Sequence, residues 1–161
     1  MINRKDTALR YVSGDLFTFA SPGPQRHNSL LVDTIELFSP RYTPQAYVLH
    51  INDRANAISI HEQKELYQLG ISSPFESFCS DIILYQEKKQ ALFFIEISTS
   101  HGIVSHQRKH EIEELLATCS MRRVYVTACY NFDDYKQFIG RIAWGSYIWC
   151  AQIPDHIIFH W

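Results

Sequence analysis

SDIILYQEKKQALFFIEISTSHGIVSHQR, Ser80 to Arg108, decides the fold of this chain. Two apolar runs, Asp81–Tyr85 and Ala91–Ile97, flank the polar stretch Gln86–Gln90. That alternation of apolar run, polar turn and apolar run predicts a hairpin buried over most of its length. Each run carries one acid that hydrophobicity does not explain: Asp81 opens the first, and Glu96 stands near the end of the second. A carboxylate in apolar surroundings costs several kcal/mol unless it is paired, protonated or bound to a cation. Two such acids on adjacent strand ends, followed by a Ser/Thr cluster, a glycine and a basic helix start, form a candidate divalent-metal site.

Outward from the hairpin, helices and strands alternate. Ser105–Thr118 has apolar residues at helical spacing (Ile112, Leu115, Leu116, then Cys119), and Arg123–Cys129 reads as a central strand. Phe132–Ile142 returns to helical spacing, and Tyr147–Ala151 and His156–His160 close the chain as strands. Upstream, a helix is expected across His27–Phe38, capped by Asn28 or Ser29 and ended by Pro40. Tyr47–Ile51 reads as a strand, Asn52–Asn56 as a turn, Ala57–Ile60 as a short strand and Glu62–Leu69 as a helix closed by Gly70. Residues 1–20 form an amphipathic lead-in able to cover an edge of the core, ahead of a main domain over 21–161. The class is α/β, with a mixed central sheet flanked by helices.

The bulk numbers limit the function classes. The chain has 161 residues, 46% hydrophobic and 20% charged, which is long and apolar enough for a sizeable core. Its formal net charge of −2 excludes a strongly basic nucleic-acid binder, so any phosphate-facing patch must be local. The cysteines at 79, 119, 129 and 150 have no C-x-x-C spacing and read as buried thiols of a reducing compartment. No apolar run approaches the ~18 residues of a membrane span. A cytoplasmic protein is expected.

Several segments, in order, carry a resemblance. EISTSHGIVSHQR (96–108), VYVTA (124–128), IAWGSYIW (142–149) and IPDHIIF (153–159) resemble the catalytic domain of the BsuBI/PstI family of type II restriction endonucleases. SPGPQRHNSL (21–30), FSPRYTPQAYVLHINDRAN (38–56) and ELYQLGI (65–71) extend the similarity to nearly the whole chain. The resemblance implies a restriction-endonuclease-like PD-(D/E)xK fold and cleavage of double-stranded DNA with Mg2+, or Mn2+ in its place. It implies Asp81 and Glu96 as metal ligands, with Ser98, Thr99, Ser100, His101 and Gly102 shaping the site. Arg108 and Lys109 on the next helix would meet the phosphate, together with Ser100 and His101, and Glu36 would be an outer acid. A homodimer suits palindromic sites, and a cognate DNA methyltransferase encoded nearby would protect host DNA.

The chain departs from the family pattern at the cations. The motif reads SD rather than PD at Ser80–Asp81, and Ser98 holds the motif lysine position. Gln107 stands where the family has a helix lysine, Ile103 where it has proline, and Gly145 where it has glutamate. These changes motivate an alternative: a catalytically impaired DNA-binding or scaffold module of the same fold.

Overall fold

A computed structural model describes residues 4–20, 26–53, 58–71, 80–99 and 102–161. The hairpin is its centre. Strand β5 (Ile82–Gln86) turns through a short 3-10 segment, Glu87–Lys89, into β6 (Ala91–Ile97). Gln90 closes that turn at a φ of 48°, and its amide donates to the Glu87 carbonyl at 2.9 Å. Every residue of β6 is buried, as a strand covered on both faces must be.

Around it lie β1 (Arg4–Arg10), β2 (Leu16–Ala20), β3 (Tyr47–Asp53), β4 (Ile58–His61), β7 (Arg122–Cys129), β8 (Ser146–Cys150) and β9 (Ile157–His160). The sheet runs β2-β1-β3-β5-β6-β7-β8-β9, with β4 pairing the far end of β3. β6, β7 and β8 are parallel, so each step between them needs a crossover. Helix α4 (His106–Leu115) makes the first and α5 (Phe132–Phe138) the second. Ser105 caps α4 by accepting from the Arg108 backbone N–H at 3.1 Å, and Asn131 caps α5 by accepting from the Asp134 N–H at 2.8 Å.

Period-two alternation in β6 sorts its side chains between two cores. Phe93, Ile95 and Ile97 pack in the core that holds Leu30, Leu31, Ile35 and Phe38. Leu92 and Phe94 pack in the core that holds Leu66 of α3 (Gln63–Gln68), Ile112 and Leu116. Glu96 shares the parity of Leu92 and Phe94, and so belongs to the face covered by α4.

Three expectations need correction. The first helix begins at Arg26, earlier than the expected caps, and Asn28 is fully buried within it. Pro40 does not end it either. α1 (Arg26–Asp33) passes into a π-helical turn, Thr34–Phe38, and then into α2 (Ser39–Tyr42). The Ser39 N–H reaches back five residues to the Thr34 carbonyl, which places Pro40 in the first turn of α2, where no N–H is needed. Third, Asn52 and Asp53 extend β3 instead of turning; residues 54–57 lie outside the described residues.

The lead-in folds as the antiparallel pair β1–β2, joined to β3 at Arg10–Tyr47, with Leu9 and Phe17 in the core and Val12 and Leu16 exposed. Cys119, Cys129 and Cys150 are free and buried, whereas Cys79 lies outside the described residues. No helix among the described residues is long and apolar enough to cross a membrane.

Candidate active site

The antiparallel register of the hairpin brings the two acids together. Ile82 pairs with Ile95, so one step beyond the ladder Asp81 stands opposite Glu96. Directly opposed residues on such a pair have Cβ atoms about 4.5–5.5 Å apart. Asp81 is 1% exposed and Glu96 5%, so neither charge is left to bulk water. The Asp81 backbone carbonyl accepts from the Asn52 N–H at 2.9 Å, and its Oδ2 accepts from the Ile97 N–H at 2.8 Å. Backbone therefore fixes Asp81 from both neighbouring strands.

Glu96 is answered from helix α4. Arg108 donates from Nε to Glu96 Oε1 at 2.9 Å, and its Nη1 lies 3.5 Å from Glu111. Burial above all, and then the neighbouring Asp81 charge, raise the Glu96 carboxyl to about 7 against the pull of Arg108. The ordinary value is 4.5, so the folded metal-free protein holds this proton more tightly than an unfolded chain does. Stability from this group is full below about pH 4.5 and falls as the pH rises through about 7. The loss amounts to about 3 kcal/mol at most. Urea unfolding in EDTA at pH 5 and pH 8 should show that decline in the wild type and a flatter profile in Glu96→Gln; identical profiles would refute the assignment.

The donor set fits a hard cation. Among the described residues no third His, Cys, Asp or Glu joins the pair to make a protein-only cage. Magnesium takes one or two carboxylates and completes its shell with waters and substrate phosphate oxygens, which two opposed acids at strand ends permit.

The other expected site residues scatter. Lys109 is engaged elsewhere: its ammonium donates to the Trp144 carbonyl at 2.9 Å and lies 5.5 Å from the centre of the Tyr125 ring. Gly145, at a φ of 72°, leaves room for it, since a Cβ there would lie 3.1 Å from Lys109 Nζ. Gln107 bonds Glu111 along the exposed side of α4. The Ser98 N–H continues the ladder to the Ala128 carbonyl, and its side chain lines a neighbouring cavity with Thr99. Glu36 lies in the π-helical turn beside Asp33, whose carboxyl is raised by burial and then by the Glu36 charge. Ser100 and His101 lie outside the described residues.

One contributor to the site, His27, escaped the sequence reading. His27 on α1 is 7% exposed and sets Nε2 3.8 Å from Asp81 Oδ1. It stands in the QRHNSL segment, yet nothing at 27 announces a partner so far along the chain. Gly102 was expected to shape the site, but its constraint is stronger than that. A Cβ there would lie 2.5 Å from the Ile97 carbonyl oxygen and 3.5 Å from Asp81 Oδ2.

Comparison with known proteins gives the family and the fold. The model of the BsuBI/PstI restriction endonuclease domain matches residues 15–160. The chain belongs to the BsuBI/PstI restriction endonuclease family. Within it, the type II restriction enzyme BsuBI of Bacillus subtilis is 32% identical over 135 residues, covering 84% of this chain and 43% of that enzyme. The solved structure of the SdaI restriction endonuclease superposes with a TM-score of 0.82 at 29% identity, over 97% of this chain and 48% of its own. The mixed sheet with flanking helices is thus a restriction-endonuclease-like α/β fold. The chain spans about half the length of these relatives.

Proposed function

We propose that this chain is a divalent-metal-dependent endonuclease that hydrolyses phosphodiester bonds of double-stranded DNA, as a type II site-specific deoxyribonuclease of a restriction system. The observation that carries the reading is the opposed, buried pair Asp81 and Glu96, with Arg108 as the cation that answers it. Magnesium, or manganese in its place, would be held by those two acids and would polarise the scissile phosphate and activate a water. Asp81, fixed by the Asn52 and Ile97 N–H groups, supplies a carboxyl oxygen at a set position. A proton on Glu96 would compete with the ion for its oxygens, so metal binding should weaken as the pH falls. Arg108 stands between Glu96 and Glu111, and a bound phosphate would compete with both for its guanidinium. The setting is the cytoplasm, on palindromic DNA as a symmetric homodimer, beside a methyltransferase that protects the host.

A second reading, a module that binds DNA without turnover, is favoured by the cations. Lys109 is held by Trp144 and Tyr125, and Gln107 carries no charge. Incubation of supercoiled plasmid with the protein in Mg2+, in Mn2+ and in EDTA separates the two. Metal-dependent nicked or linear product is expected. Salt-sensitive DNA binding without any cutting would establish the module instead.

A further inference from the structure

Beyond the carboxyl ends of the parallel strands β6 and β7 lies a cavity of about 170 Å3, lined by Arg26, Ser98, Thr99, Ile103, Asp134, Gln137, Phe138 and Arg141. It opens where ligands of α/β sheets bind, off the strand ends, and it begins two residues after Glu96. Ligand pockets for whole small molecules run to about 300–1,000 Å3, so this one suits a single small group.

Its charges are unbalanced. Arg26 is paired to Asp134 at 3.1 Å and lies over the Tyr130 ring. Arg141 is exposed and makes no hydrogen bond or ion pair among the described residues, and neither does the Gln137 side chain. The Ser98 hydroxyl is buried without a partner among the described residues. Two guanidiniums against one carboxylate leave a local positive excess in a chain whose net charge is −2.

The wall that carries Arg141 is tied to the loop that leads into α4, and through it to β7, the strand beside β6. Ile142 bridges Ser105, the Ala143 N–H donates to the Val104 carbonyl at 2.8 Å, and the Val104 N–H donates to the buried Thr127 hydroxyl on β7 at 3.0 Å. A group held by Arg141 is therefore held at a fixed offset from Asp81 and Glu96.

We propose that this cavity is a backbone-phosphate subsite. Arg141, with Gln137 and Arg26, takes a phosphodiester group of the DNA strand next to the one being cut, and so sets the register of the strand on the acids. The proposal rests on the nuclease reading and names contacts that reading does not need.

The test is equilibrium binding of a labelled DNA duplex in EDTA across a sodium chloride series. Removing one phosphate contact should reduce the slope of log affinity against log salt by about 0.9. Arg141→Ala should show that reduction and bind about fivefold to tenfold more weakly, with Arg141→Lys restoring the slope. Its thermal unfolding should match wild type, because Arg141 is exposed and unpaired. An Arg141→Ala protein with wild-type affinity and slope overturns the subsite, as does Arg141→Lys failing to restore the slope. If wild type cuts plasmid while Arg141→Ala binds normally, only the subsite falls. If wild type binds no duplex, the nuclease reading falls with it.

Discussion

Glu96→Gln should leave supercoiled plasmid uncut under conditions in which the wild type converts it fully, a loss of at least about a hundredfold. The size follows from what the substitution removes. Gln keeps the shape of Glu96 and can still accept from Arg108, but it cannot carry the negative charge that a divalent ion needs. Removing one preorganised electrostatic contact to a reaction centre costs about 100-fold to 1,000-fold, and removing a ligand of the ion itself should cost no less. The fold should survive. Glu96 is buried at a strand end where its charge is costly, so the neutral isostere relieves desolvation as it weakens the bond to Arg108. Full activity in Glu96→Gln would end the assignment, whereas loss of activity with collapse of the fold would show a structural part for the bond to Arg108.

Gly102→Ala should have the next largest effect, on stability and cleavage together. The added methyl meets the Ile97 carbonyl at 2.5 Å, and that oxygen is main chain, with no flexible end to swing aside. Either the 102–104 loop or the end of β6 must move. Overpacking of this kind costs about 1–3 kcal/mol. The same movement disturbs the Ile97 N–H that fixes Asp81, and a shift of about 1 Å at a reacting centre costs on the order of 100-fold in rate. Thermal unfolding and the plasmid assay together check both halves. An alanine variant that melts and cuts like wild type would show that the approach of Gly102 to Ile97 has no bearing on the site.

What could be read from the chain was whatever is local or paired in register. The β5–β6 hairpin, the acids at 81 and 96 on adjacent strand ends and the helix that starts near Ser105 follow from short-range pattern and period-two alternation, whereas Arg108 came only with the family resemblance, as a phosphate contact and not as the partner of Glu96. Sheet order was not readable, because β1 beside β3 and β4 against the far end of β3 are contacts that no local pattern encodes. The π-helical turn was missed because Pro40 after a helical run normally means a stop; the stretched register that admits it depends on packing around Thr34 and Phe38, both buried. The partners of Lys109 escaped for the same reason: the Trp144 carbonyl and the Tyr125 ring come near only once β7 and the loop before β8 are in place. Arg141 reads in the sequence as one more surface cation, and only the cavity beside it gives it meaning.

The central claim is that Asp81 and Glu96 share one divalent cation, and manganese binding tests it most directly. Electron paramagnetic resonance of free Mn2+ titrated with the protein at pH 7.5 should show one ion bound per chain in wild type, and binding lost in both Asp81→Asn and Glu96→Gln. Retention of wild-type manganese binding by both variants would contradict it.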